Sequence, residues 1–372
     1  MVYQLAKQIK VNLGNYLRGN INPELTFHKT GWQRILIEGE SGAGKSAHAK
    51  DIVVKLSKYR KICIFSLRGE WEKHIVEYNP YYKAEKQKLI NYKLLDDYCI
   101  KISEFDEQGD WISLGFSELG IIVLSKLVNE GKKYYQDDPE KFQGLLNLLP
   151  TKQVNKEGTD LLDAYENDFG IELNSPVFPQ VKQSIINRFE NIKKWFWFEG
   201  DTRNYYVFSK EWILNDNLII NISNDRFKAR ALCGLILRKL KSYHKETRGL
   251  FVFEEARVLF PDYPPDKPEY ELPSSIREIY DILTMGRKEG IAVLLITQRE
   301  DQLYKPALEH FFTKIIVGKY LAYSRIHKME YELALTLKWD PNLGQYGYRT
   351  CLLYYKTGKF CVYEPFISCC KS

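Results

Sequence analysis

The 372-residue chain is 44% apolar and 27% charged, an ordinary globular composition that excludes a wholly disordered polymer. A net charge of +6 gives only mild, salt-sensitive attraction to polyanions, so charge alone does not establish nucleic-acid binding. The seven cysteines, at 63, 99, 233, 351, 361, 369 and 370, show neither a CxxC pair nor zinc-ligand spacing, which reads as reduced, buried thiols.

Residues 1–10, MVYQLAKQIK, lack the long apolar region of a signal peptide. No run approaches the roughly 18 apolar residues of a membrane span. The expectation is a soluble cytoplasmic protein with no membrane partner. Short, continuous apolar runs follow: ILI at 35–37, ICIFS at 62–66, NLIINIS at 217–223, GLFVF at 249–253 and IAVLLIT at 291–297. Runs that do not alternate suit strands of a parallel sheet buried on both faces. Helical spacing covers 46–59, 226–246 and 275–289 between them. Alternating strands and helices predict an α/β fold.

Residues 72–215 break that rhythm. Apolar residues there fall mostly at helical spacing, in SELGIIVLSKLVNE (117–130), KFQGLLNLL (141–149) and QVKQSIINRFENIKKWFWF (180–198), which predicts a mainly helical insertion. The chain is thus expected to divide into 1–71, the start of the core; 72–215, the insertion; and 216–372, the remaining core with C-terminal strands. TKIIVGKY (313–320) and YRTCLLYY (348–355) read as those strands, with a helix near 327–337 between them. YPPDKPEYELP, 263–273, reads as an exposed loop.

Gly39, Glu40, Ser41, Gly42, Ala43, Gly44, Lys45 and Ser46 match GxxxxGK[ST] between a strand and a helix. Backbone N–H groups of such a loop wrap phosphates at the positive end of the helix, and glycines permit the close approach. Lys45 is expected to reach the β- and γ-phosphates and Ser46 to ligate Mg²⁺. Binding is not hydrolysis, which also needs acids. Glu254 and Glu255 end the GLFVF strand, where the first can assist Mg²⁺ and the second orient or deprotonate the attacking water. Alone, such a pair could equally start a solvated loop. Thr297 and Gln298 end the last strand of the core, and a glutamine there can bond both γ-phosphate and water.

TMGRKEGIAVLLITQRE (284–300) and LRGEW (67–71), together with the P-loop and Glu254–Glu255, resemble the HerA/FtsK superfamily. That resemblance implies a RecA-like P-loop ATPase: a mainly parallel sheet with helices on both faces, ATP and Mg²⁺ as ligands, and a homo-oligomeric, hexameric ring that pumps double-stranded DNA. It implies catalytic roles for Glu255 and for Gln298 as γ-phosphate sensor, a metal role for Glu254, and an arginine reaching a neighbour's nucleotide. Arg287, in the matched Gly-Arg-Lys step, is the first candidate and Arg325 the second. Family motors usually carry Asp where Glu254 stands. Thirty-eight residues precede Gly39, too few for HerA's N-terminal β-barrel, so a stripped motor is expected, its specificity supplied by the insertion, a nuclease or another partner protein. The alternatives are a motor acting on protein or within a conjugation complex, and a slow nucleotide-gated scaffold. Lys132 with Lys133 and Lys193 with Lys194 could face DNA, although paired lysines on helices are usually solvated.

Overall fold

The computed structural model describes residues 9–27, 33–57, 59–67, 71, 92–95, 99, 108–117, 120–121, 177–196, 216–222, 225–241, 249–264, 272–317 and 350–365. Twelve strands occur among them: β1 (Ile9–Asn12), β2 (Gly14–Gly19), β3 (Glu24–Phe27), β4 (Gln33–Glu38), β5 (Ile62–Ser66), β6 (Tyr92–Leu95), β7 (Asn217–Asn221), β8 (Leu250–Phe253), β9 (Ala292–Thr297), β10 (Thr313–Val317), β11 (Cys351–Tyr355) and β12 (Phe360–Pro365). The helices used below are α1 (Lys45–Ser57), α2 (Gln108–Ser113), α3 (Val177–Ile192), α4 (Arg226–Lys241), α5 (Ala256–Leu259), α6 (Ser274–Glu289) and α7 (Lys305–Leu308).

Ten strands form one sheet in the order β2-β12-β11-β10-β4-β9-β8-β5-β7-β6. From β10 to β6 every neighbouring pair is parallel, and the β10-β11, β11-β12 and β12-β2 pairs are antiparallel. The five continuous apolar runs are the five central strands β4, β9, β8, β5 and β7, because only strands covered on both faces can be apolar at every position. Each of Leu250, Phe251, Val252 and Phe253 is at most 4% exposed.

Alternation along each strand sends neighbours to opposite faces. Phe251 and Phe253 join one core with residues of α2, α3, α4, α5 and α6, whereas Leu250 and Val252 join another with Ala49, Ile52, Val53 and Leu56 of α1 and with β1 and β3. Helices therefore cover both faces, as the α/β reading requires. Phe65 stacks on Phe253 with ring centroids 5.1 Å apart.

Buried charges fix these layers. Arg34, 2% exposed at the start of β4, donates to the carbonyls of Ile282 and Leu283 in the last turns of α6 and of Ile291 beyond it. These bonds tie the start of β4 to α6, and burial lowers the Arg34 pKa to about 10. Arg238 of α4 forms a bidentate pair with Asp110 of α2, at 3.1 and 2.7 Å.

Several elements depart from the sequence expectation. β6 lies inside the stretch read as helical insertion yet pairs in parallel with β7, so that stretch lends a strand to the core sheet. β1, β2, β3 and β12 had no counterpart in the apolar-run analysis. The 263–273 stretch is not exposed throughout: Leu272 is only 2% exposed and belongs to the core cluster that includes Trp111 of α2. The helix expected near 327–337 lies outside the described residues. Cys63, Cys99, Cys233, Cys351 and Cys361 are buried free thiols, as expected, and Cys369 and Cys370 lie outside the described residues. No helix among the described residues is long and apolar enough to cross a membrane.

Candidate nucleotide site

The candidate residues collect at one edge of the sheet because parallel strands present their C-terminal tips together. β4 runs into the glycine loop, β9 beside it ends at Thr297, and β8 beyond that runs into Glu254 and Glu255. Glu38 sits opposite Thr297.

The loop is shaped by its glycines. Gly42 and Gly44 have φ of 78° and 95°, a region that costs other L-residues energy. A Cβ on Gly39 would lie 1.9 Å from the Val317 carbonyl oxygen, whereas a Cβ on Gly44 would project into open space with nothing within 4 Å. That open space at the first turn of a 13-residue helix is what a phosphate cradle requires. Lys45 Nζ lies across the loop, donating to the Glu40 carbonyl at 2.7 Å. Burial lowers its pKa, and the negative charges of Glu255, Glu40 and Glu38 oppose the shift, Glu255 most strongly among them.

Glu254 is 5% exposed. Its Oε2 accepts a 2.8 Å hydrogen bond from Ser66 Oγ at the tip of β5, and its N–H donates to the Phe65 carbonyl. Glu255 has φ 47° and ψ 52°. Among the described residues it alone, apart from glycines, has positive φ. Backbone strain of this kind persists where the surroundings over-determine it and is concentrated at functional sites. Glu255 Oε2 lies 3.3 Å from Arg257 Nε. Gln298 is half-buried beyond β9, whereas the Thr297 hydroxyl is engaged in the turn that follows, bonding to the carbonyl and N–H of Arg299. Buried beneath that turn, Glu38 Oε1 accepts from the Glu300 N–H at 2.8 Å, and Glu300 pairs with Lys314 at 2.6 Å.

No family model matches the sequence, and no curated protein is similar to it. The structure is similar to that of the bacterial conjugative coupling protein TrwBdeltaN70 in an unbound form, with TM-score 0.57, 15% identity, and coverage of 90% of this chain and 85% of that one. It is also similar to the plasmid coupling protein TrwB in complex with ADP and Mg²⁺, with TM-score 0.56 and 14% identity over 91% of this chain and 86% of that one. The complex of TrwB with the non-hydrolysable GTP analogue GDPNP matches at TM-score 0.55, with 14% identity over the same shares. The chain shares the fold of these coupling proteins, a mainly parallel α/β sheet with helices on both faces.

Within this α/β fold, the residues fit a magnesium nucleotide. The cradle at Gly44 is open, and Ser46 and Glu254 supply a hydroxyl and a carboxylate, hard oxygens of the kind Mg²⁺ takes. Among the described residues no cluster of three or more His, Cys, Asp or Glu side chains could hold a metal on its own. Mg²⁺ is commonly held by one or two protein oxygens together with phosphate oxygens.

Arg287 lies near the C-terminal end of α6, the end that leads into the start of β9. It therefore sits at the edge of the sheet opposite the P-loop of its own chain, and its side chain lies outside the described residues. Arg325, Gly69 and Glu70 of the LRGEW step, and Lys132 with Lys133 also lie outside them. Lys193 and Lys194 are exposed just after α3, Lys193 pairing with Glu190 at 2.5 Å. Sequence reading passed over Ser66, Glu38 and Arg257. Ser66 ends its apolar run just as Glu254 follows its own, and that shared placement was the available signal.

Proposed function

We propose that this chain is an ATP-hydrolysing motor that assembles as a homo-oligomeric ring, hexameric in the simplest form, and moves double-stranded DNA. The observation that carries this reading is that the glycine cradle after β4, Gln298 after β9 and Glu254–Glu255 after β8 share one edge of the parallel sheet. Ser46 and Glu254 would hold Mg²⁺. When bound, the metal supplies positive charge that offsets charge developing on the transferred phosphoryl group. In this reading Gly39 to Ser46 grip the phosphates, and Lys45 exchanges the Glu40 carbonyl for a phosphate oxygen. Glu255 orients or deprotonates water, and Gln298 senses the terminal phosphate. Ser66 keeps Glu254 aimed by its hydrogen bond. Because Arg287 lies in the part of α6 at the sheet edge opposite its own P-loop, its role is in trans, on a neighbour's nucleotide; Arg325 is the other candidate. Residues 72–215 are read as an insertion, and partner specificity resides there or in another protein, such as a nuclease.

Similarity to the conjugative and plasmid coupling proteins favours a second reading, a motor working within a conjugation complex. One experiment separates these. Steady-state ATP hydrolysis is measured without DNA, with duplex, and with single strands, alongside native mass. Stimulation by duplex, loss of turnover in Lys45→Ala, and nucleotide binding without turnover in Glu255→Gln are expected. Equal rates in all three conditions would overturn duplex translocation, and turnover far below about 1 s⁻¹, the low end of typical enzymes, would instead mark a nucleotide-gated scaffold.

A further inference from the structure

Two helices, α3 and α4, bring three arginines together one helix away from Glu255. Arg188 of α3 donates through Nε to the Leu114 carbonyl at 2.8 Å and places its guanidinium 4.5 Å from the centre of the Phe227 ring. Arg226, the first residue of α4, lies 4.8 Å from the centre of the same ring. The arrangement depends on Gly115, where a Cβ would lie 2.7 Å from the Phe227 ring and 3.2 Å from an Arg188 nitrogen. Arg230, one turn further along α4, turns towards α5 and donates to the Val258 carbonyl at 2.7 Å.

Two guanidiniums on one ring repel each other, and an arrangement of this kind suits an external anion. Burial and Arg226 both depress the pKa of Arg188 and of Arg230, with Asp225 opposing the shift at Arg188. Asp225 Oδ1 already accepts from the N–H groups of Phe227 and Lys228, at 2.9 and 3.2 Å, capping α4. Arg226 is exposed.

We infer that Arg188, Arg226 and Arg230 form a contact site for the phosphodiester backbone of duplex DNA, linked to Glu255 through Arg230. The inference rests on the motor reading above and adds the place where the track is held. Exposed cations suit phosphates that recur along a strand, and Lys193 and Lys194, a few residues beyond Arg188, are exposed as Arg226 is. A single triphosphate needs a converging cradle, which the P-loop provides. Coupling follows the backbone: Arg230 holds the Val258 carbonyl, and the Val258 N–H donates to the Glu255 carbonyl at 2.8 Å. A phosphate that pulls on Arg230 thereby loads the strained turn that aims Glu255. In this scheme Arg230 is a positioning residue.

The test measures duplex binding by anisotropy across a salt series, together with turnover with and without DNA. Each phosphate contact contributes about 0.9 to the log-log salt slope, so Arg226→Ala should lower the slope by about one while Arg226→Lys restores it. Arg230→Gln should lower the ratio of duplex-stimulated to DNA-free turnover to near one, and Arg230→Lys should recover part of that ratio. Arg226 is solvent-exposed, so its variants should fold, and an unchanged thermal midpoint confirms this. An unmoved slope in Arg226→Ala, with wild type binding duplex normally, would overturn the site. Normal DNA binding combined with loss of concentration-dependent turnover would also overturn it, assigning the patch to a neighbour's triphosphate. Wild-type protein that does not bind duplex at all would remove the motor reading itself.

Discussion

Ser66 Oγ donates a 2.8 Å hydrogen bond to Glu254 Oε2, joining the tip of β5 to the tip of β8. Both residues are buried, at 0% and 5% exposure, so water cannot replace the bond. A hydrogen bond to a charged group typically contributes about 1.5–3 kcal/mol. Ser66→Ala should lower unfolding free energy by that amount in urea denaturation and reduce turnover more than nucleotide affinity. Ser66→Thr, which keeps the hydroxyl, should recover most of both. A Ser66→Ala protein as stable as wild type would show that the bond is energetically idle.

Glu255 trades stability for position. Its left-handed backbone costs an L-residue about 1–2 kcal/mol, while glycine surrenders about 0.5–1 kcal/mol of chain entropy on folding. Glu255→Gly should therefore leave the protein as stable as wild type or more stable by about 0.5–1 kcal/mol. Turnover should fall by about 10²-fold or more, as when a general base is lost. A marked loss of stability would mean that the Glu255 side chain supports the fold rather than the chemistry.

How much of this was legible follows from which signals are local. The strands β4, β5, β7, β8 and β9 announce themselves because double-sided burial demands unbroken apolar runs. β2, with the sequence GNYLRG, does not, since four of its six residues are exposed at the sheet edge. β6 is four residues long, YKLL, and is defined only by the neighbour it pairs with. At the site, Gly39 to Ser46 are contiguous and could be read directly. The Ser66 to Glu254 bond spans 188 positions, and the arginine patch draws on α3, α4 and the turn at Gly115. Contacts of that range depend on strand order, which periodicity does not encode. The burial of Leu272 is of the same kind: Pro and Tyr predict a turn, but the core cluster that covers Leu272 draws on distant elements.

Acid sensitivity should trace in part to His48. The imidazole is buried in α1, bonds Tyr363 Oη of β12 at 2.6 Å, and has its pKa lowered to about 3 by burial, with a smaller contribution from Lys55. The unfolded chain takes up this proton near pH 6.5 while the folded protein stays neutral. The stability it contributes is therefore present above that pH and is lost progressively as pH falls towards the folded value. Between pH 7 and pH 5 the loss from this residue is about 2 kcal/mol. Burial raises the pKa of Asp51 in the same helix, which acts in the opposite sense, so the comparison must be with a variant. Urea midpoints of His48→Gln should fall less steeply over this range than those of wild type. Identical slopes would place the acid sensitivity elsewhere.

Gly39 and Gly44 should fail in different ways when changed to alanine. At Gly39 the added methyl meets the Val317 carbonyl oxygen at 1.9 Å, and both partners are backbone, so β4 and β10 must separate. Overpacking of this kind costs about 1–3 kcal/mol or more, and Gly39→Ala should unfold at clearly lower urea. At Gly44 the methyl meets no protein atom within 4 Å. The cost there is the left-handed backbone alone, about 1–2 kcal/mol, and the methyl enters the space assigned to phosphate. Gly44→Ala should keep a cooperative unfolding transition but lose binding of a fluorescent ATP analogue. If Gly44→Ala bound that analogue as wild type does, the open space above Gly44 would not be the phosphate cradle, and the assignment of Lys45 and Ser46 would fail with it.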